Sequence, residues 1–189
     1  MNAAPQPPSP PDSLRLLREL HDRQEILDCI HRYCRAVDRG DRELLLSVYH
    51  PDAIDDHGVF VGNREAFADW ALAYHAENQE CTHHVVTNHI CDLEGDTAHT
   101  ETYWMFSGIN KVGPSTLHFG RYIDRFERRN GRWAISARAC VIEWGGTLGE
   151  KAVPPEVTAA YAGVGPATRD RSDISYRRPL VVRTPGGGK

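Results

Sequence analysis

The chain has 189 residues, 40% hydrophobic and 25% charged, which is the make-up of one ordinary globular domain. A net charge of -4 leaves no basic footprint for nucleic acid or for an acidic membrane surface. No apolar run approaches the roughly 20 residues that cross a bilayer, and the opening MNAAPQPPSPPDS lacks the basic-then-apolar order of a secretory signal.

In chain order, residues 1–13 read as a disordered, Pro-rich arm. Ser13 fits the N-cap of a helix from about Leu14 to Arg39, with Gly40 as its stop. Leu17, Leu20, Leu27, Ile30, Cys34 and Val37 recur at spacings of three, four and seven and mark its apolar stripe. Asp41 caps a short second helix, RELLLSVY, which Pro51 helps to end. AIDDHGVFVG reads as a short extended segment. A third helix follows from about Asn63, with Phe67, Trp70, Ala71 and Tyr74 on one side.

From Cys81 the period changes to two. THHVVTNHICDL, TAHTETYWMFSGI, STLHFGRYIDRFER and RWAISARACVIEW are four strand candidates, and the NG between the last two signals a tight hairpin. Helices followed by an antiparallel meander give an α+β fold, a curved sheet against three N-terminal helices around a cone-shaped cavity. The domain spans residues 14–150, and 151–189 form a charged, extended tail. Five cysteines without a C-x-x-C pair fit reduced thiols and a cytoplasmic protein. Dinucleotide, phosphate-loop, nucleophile-elbow and H-E-x-x-H motifs are absent, so nucleotide chemistry and serine hydrolysis drop down the order of expectations.

One residue breaks the pattern. Asp38 lies on the apolar stripe, close to a helix C-terminus whose partial negative charge disfavours it by about 0.3–1 kcal/mol. Burial adds to that cost unless a partner offsets it. The simpler reading makes Asp38 a turn residue pointing outward. The chemical reading gives it a histidine, which ECTHHVVTNHI supplies. Strict alternation puts His84, Val86, Asn88 and Ile90 on one face of that strand. A carboxylate that orients an imidazole is a general-base arrangement. HPDAIDDH also crowds His50, Asp52, Asp55, Asp56 and His57 into eight residues, a metal-like set that reads more simply as a turn.

The helix end YCRAVDRGD, the segment YHPDAIDDHGVFVG, the strand THHVVTN and the hairpin GRYIDRFERRNGRWAI together resemble the SnoaL-like branch of the nuclear transport factor 2 superfamily, over roughly Leu14 to Trp144. The resemblance implies a deep pocket between the long helix and the sheet. Dehydratase and dehydrochlorinase members use an Asp–His pair, which falls on Asp38 and His84. A dehydratase-type Tyr five residues before the Asp matches Tyr33, and a dehydrochlorinase-type Arg five residues after the hairpin Trp matches Arg138. An extra acid found in one dehydratase is replaced by Phe106 beside Ser107 here.

These positions imply a cofactor-independent lyase or isomerase, with no metal, acting on a small hydrophobic, ring-containing molecule. His57, Asn88, Tyr103, Trp104, Phe106, His118 and Trp144 are the candidate pocket residues. A polyketide-cyclase-like enzyme and a non-catalytic binding or subunit protein are the alternatives within the fold. The resemblance also implies a homodimer or homotrimer, with no nucleic-acid or membrane partner.

Overall fold

A computed structural model describes residues 10–149, 168–176, 178–180 and 182. Most of the Pro-rich arm and much of the tail lie outside them. The long helix α1 spans Pro10–Arg39 and so begins earlier than the Ser13 cap suggested. Pro10 and Pro11 start it, because a first-turn residue needs no backbone N–H partner and the proline ring presets φ. Its buried positions run from Asp22 to Asp38, whereas Leu17 and Leu20 are 61% and 63% exposed. The apolar stripe therefore extends further along the sequence than the packed face does.

At the other end, Gly40 takes φ 66°, Gly40 N–H donates to Val37 O, and Asp41 N–H donates to Ala36 O at 2.9 Å. This is a Schellman closure, and it fixes the last turn that carries Asp38. The helix α2, Arg42–Ser47, follows at once, capped by the Asp41 side chain. It stops before Pro51, which lies instead inside the first strand, β1, Tyr49–Asp56. The proline is tolerated there because the pairing of β1 is irregular between Tyr49 and Ile54. The extended segment thus becomes β1 and a short β2, Val61–Asn63, before α3, Arg64–Asn78, which Asn63 caps.

The four long strands form where the period-two pattern put them: β3 Gln79–Glu94, β4 Thr97–Asn110, β5 Thr116–Arg129 and β6 Arg132–Thr147. Asn130 and Gly131 both take positive φ in the β5–β6 turn, as a tight hairpin of this kind requires. The sheet order is β2-β1-β6-β5-β4-β3, antiparallel throughout except for β1 beside β6. It is a curved, unclosed six-stranded sheet whose concave face packs on the three helices. Ile26, Ile30, Leu45, Phe67 and Phe126 lie at 0–1% exposure between these layers, each contributing roughly 1.5–3 kcal/mol by burial. No described helix is long and apolar enough to cross a membrane.

Three of the sheet's β-bulges bear on which candidate site residues face inward. Along β3 the pairing steps from Val86↔Trp104 to His89↔Thr102, three residues against two. In β6, Ser136 and Glu143 are the extra residues opposite β5. Each insertion reverses the phase of the strand beyond it.

The described part of the tail is not simply extended. It turns at residues 170–173, forms a 3-10 turn at Ile174–Tyr176 and docks on the end of α1. The Tyr176 hydroxyl donates to Asp41, and the Arg35 guanidinium lies 4.9 Å from the Tyr176 ring centre.

Candidate active site

Asp38 is buried and points inward. His84 Nδ1 lies 2.7 Å from its Oδ1, and the backbone N–H of the same histidine donates to Oδ2 at 2.9 Å. A carboxylate only accepts, so Nδ1 carries the proton and Nε2 keeps its lone pair. Nε2 has no hydrogen-bond partner among the described residues, and His84 lines a cavity of about 650 Å³. Burial alone would push the Asp38 carboxyl up, but the hydrogen bonds and charge of His84 outweigh it and hold the group below its ordinary value. Two chain-distant elements thus meet in one dyad because the Schellman turn aims the helix end at β3.

Tyr33, one and a half turns earlier in α1, lines the same cavity, and burial keeps its phenol protonated far above the ordinary range. Its ring meets His84 edge-on with centroids 6.5 Å apart, and its hydroxyl lies 3.4 Å from His57 Nε2. His57 is stacked on Phe67 at 4.8 Å, and its Nδ1 bonds Asp55. The remaining members of the metal-like run are dispersed: His50 bonds Glu127 O, Asp52 pairs with Arg129, and Asp56 accepts from Gly58 N–H. Among the described residues the one group with ligand-like convergence is His21, Asp22 and Glu25. Asp22 there is taken by Arg128 and by the Trp133 indole N–H, well away from the cavity.

Arg138 is inward, but it is not among the cavity-lining residues. Its guanidinium is bidentate on Asp124, at 2.7 Å for both bonds, and is sandwiched 4.1 Å from the ring centres of Tyr33 and Tyr122. Burial opposes the charge, but Asp124 and the tyrosines hold the guanidinium cationic, well above its ordinary value. Its one unpaired nitrogen, Nη1, lies between aromatic faces.

Of the candidate pocket residues, His57, Trp104, Phe106 and His118 line the cavity. Asn88, Tyr103 and Trp144 do not. Asn88 and Trp144 follow the β3 and Glu143 bulges and are turned outward, and Ile90 goes out with Asn88. Tyr103 alternates with the inward Trp104 and sits beneath Arg121 on the convex face. Gly120 is required where it stands, because a Cβ there would collide with the Trp104 indole and the Val141 carbonyl.

His75 escaped the sequence reading, although it lies four residues beyond Ala71 on the buried face of α3. It lines the cavity 5.6 Å from His84, ring to ring. Its protonation follows from a chain of fixed donors. Asn110 Nδ2 donates to Pro114 O, Gln79 Nε2 donates to Asn110 Oδ1, and Gln79 Oε1 therefore accepts from His75 Nδ1. Burial pushes His75 down to about 4, so near neutral pH it is an uncharged ring with Nε2 as an acceptor. Asp124, an acid between Tyr122 and Phe126 on the inward face of β5, was also missed.

The curved α+β shell encloses a histidine–carboxylate pair inside a cavity lined largely by aromatic side chains. The model of the SnoaL-like domain matches residues 18–139, and the chain belongs to that family, within the nuclear transport factor 2 superfamily. Among solved structures, LinA superposes with a TM-score of 0.69 at 25% identity, covering 74% of this chain and 98% of LinA. Hexachlorocyclohexane dehydrochlorinase LinA-type3 from Novosphingobium barchaimii LL02 gives 0.68 at 24% identity, covering 74% of this chain and 99% of its own. A candidate scytalone dehydratase from Novosphingobium aromaticivorans gives 0.64 at 17% identity, with 72% and 94% covered. Among curated proteins, none matches the chain in sequence.

Proposed function

We propose that the protein is a cofactor-independent lyase of the dehydratase type, acting on a small hydrophobic, ring-containing substrate. The observation that carries this is the His84–Asp38 bond inside an open aromatic cavity, with His84 Nε2 unpaired among the described residues. Asp38 holds the imidazole in the tautomer whose Nε2 accepts a proton, and stabilises the imidazolium that results. The target is a carbon acid, a C–H beside a carbonyl or comparable activating group. Tyr33 donates to the oxygen that gains charge. Elimination follows when a leaving group sits on the next carbon. Keto–enol isomerisation begins with the same step and uses the same residues.

Arg138 acts from behind this wall. Its charge sits against the Tyr33 ring and favours electron density there, without touching the substrate. Phe106, which stacks on His118 at 5.9 Å, and Trp104, which stacks on Tyr122 at 5.5 Å, supply flat apolar walls for a ring. The test is the release of nitrophenolate from the nitrophenyl ether of a β-hydroxy ketone. The wild type should release it at least about 100-fold faster than His84→Ala, the scale of a positioned general base. Equal rates in a folded variant would sink the reading.

A further inference from the structure

The cavity holds a second histidine–carboxylate pair that the base mechanism leaves unused. His57 Nδ1 bonds Asp55 Oδ1, and Asp55 is fully buried with its other oxygen accepting from the Tyr49 hydroxyl at 2.6 Å. The design repeats that of the first dyad. Asp38 gives one oxygen to His84 Nδ1 and the other to a fixed donor, the His84 backbone N–H. In both pairs the carboxylate is locked by its second oxygen and the imidazole presents Nε2. The His57 ring is held by Phe67 on its face and by Trp70 and Tyr122, at 6.2 and 6.5 Å between centroids. Its Nε2 lies 3.4 Å from the Tyr33 hydroxyl, a long contact that places the two groups in line for proton transfer when they close. The Tyr33 ring also meets His84, so the two dyads flank one phenol.

We infer that His57, oriented by Asp55, supplies the proton taken by the departing group, delivered through the Tyr33 hydroxyl, and that the substrate is a carbonyl compound with a β-oxygen substituent. This rests on His84 being the base. A hydroxide or alkoxide leaves poorly unless protonated, whereas a halide needs no proton and is better served by a cation. The wall offers the former. Arg138 is committed to Asp124, and the Lys111 ammonium at the cavity rim is held by the Ala76 carbonyl at 2.5 Å.

The steps balance. The C–H bond breaks and its proton goes to His84 Nε2, while its electron pair forms the new double bond. The C–O bond breaks with its pair on oxygen, which takes the Tyr33 proton and leaves as water or an alcohol. Tyr33 regains a proton from Nε2 of His57, which enters the step as the imidazolium paired with Asp55 and leaves it as the neutral ring with Nδ1–H still on Asp55. The extra proton on His84 and the missing one on His57 are then exchanged with solvent. His57 is thus a positioning residue in a relay, and Tyr33 is the group that touches the substrate.

The experiment compares two aryl ethers of the same β-hydroxy ketone, phenyl and nitrophenyl. Phenoxide needs a proton to leave, and nitrophenoxide hardly does. Loss of a general acid therefore lowers the phenyl-to-nitrophenyl rate ratio, which a generally loosened site does not. His57→Gln, Asp55→Asn and Tyr33→Phe should each lower that ratio, by roughly 100-fold for His57→Gln. The Tyr33→Phe/His57→Gln pair should be no worse than the worse single variant, as members of one relay are non-additive. An unchanged ratio in His57→Gln and Tyr33→Phe overturns the relay while leaving the base intact. If His84→Ala keeps the nitrophenyl rate, the parent reading fails instead.

Discussion

Two buried carboxylates, Asp38 and Asp124, lie on the inward faces of their elements, and each is bonded to a nitrogen base at 2.7 Å. Asp38 holds a histidine at a cavity wall, a partner that can gain and lose a proton. Asp124 holds an arginine that stays charged and whose side chain, like its own, is 0% exposed. The difference lies in the partner and in access to the cavity, not in the carboxylate. A titratable partner beside open space makes a site. A permanent cation sealed between tyrosines makes a fixed charge that organises the site from behind.

Breaking each pair should separate the two roles. Asp124→Ala leaves a sealed guanidinium without its counter-ion and should destabilise the fold by about 3–5 kcal/mol in urea denaturation. Replacing both partners together, Asp124→Leu with Arg138→Met, should recover most of that loss, since an apolar pair of similar volume carries no stranded charge. Asp38→Asn should do the reverse. Stability should change by only about 1 kcal/mol, because a neutral amide still bonds the histidine. Turnover of the nitrophenyl ether should fall roughly 100- to 1000-fold, since Asn does not stabilise the imidazolium. Equal stability losses in Asp38→Asn and Asp124→Ala would erase the distinction.

The residues that made this comparison possible were unequally legible. Asp38 stood out because an acid on an apolar stripe violates helix patterning, and His84 because alternation from Thr82 holds up to the first bulge. Asn88 was assigned inward by the same alternation and is outward, because the β3 bulge shifts the phase. Trp144 was chosen only as an aromatic, and it lies outward just after the Glu143 bulge. Arg138 shows the converse. Alternation from Trp133 and Ile135 would turn it outward, and the Ser136 bulge brings it in, so only family resemblance singled it out. An extra residue in one strand shifts its phase and bends it, and period-two patterning alone does not show where such a residue falls. The fold class, by contrast, rests on long periodic segments and was readable throughout. The Asp55–His57 pair lay inside a run of ligand-type residues, where proximity in sequence suggested a metal and hid a dyad two residues apart.

Acid extends the contrast to the cavity as a whole. His75 is held at about 4 in the folded protein against an ordinary 6.5, so the unfolded chain binds its proton first. Stability is therefore full above pH 6.5 and declines as pH falls towards 4, by on the order of 3 kcal/mol from this residue. His50, also pushed down to about 4 by burial and nearby arginines, adds to the same window. Asp38, lowered in the fold, contributes its stability above the unfolded carboxyl value and loses it as pH drops through the folded one, at the acid end. His75→Gln should flatten the stability profile between pH 6.5 and 4 while leaving the most acidic limb in place. A slope unchanged in His75→Gln would assign that limb to His50 instead.

The smallest effect is expected on the convex face, where arginine and carboxylates meet again. Arg121 bonds Glu143 at 2.7 Å and Glu101 at 3.1 Å, distances close to those of Arg138 and Asp124. The setting is different. Glu143 and Glu101 are 43% and 36% exposed, so water and salt already screen what the bonds supply. Glu143→Gln should leave the denaturation midpoint within experimental scatter, and added salt should not separate it from the wild type. Glu143 is the bulge residue that turns Trp144 outward, and Gln preserves its length and backbone preferences. A midpoint that dropped as far as that of Asp124→Ala would mean that distance, and not burial, sets what an arginine pair contributes in this sheet.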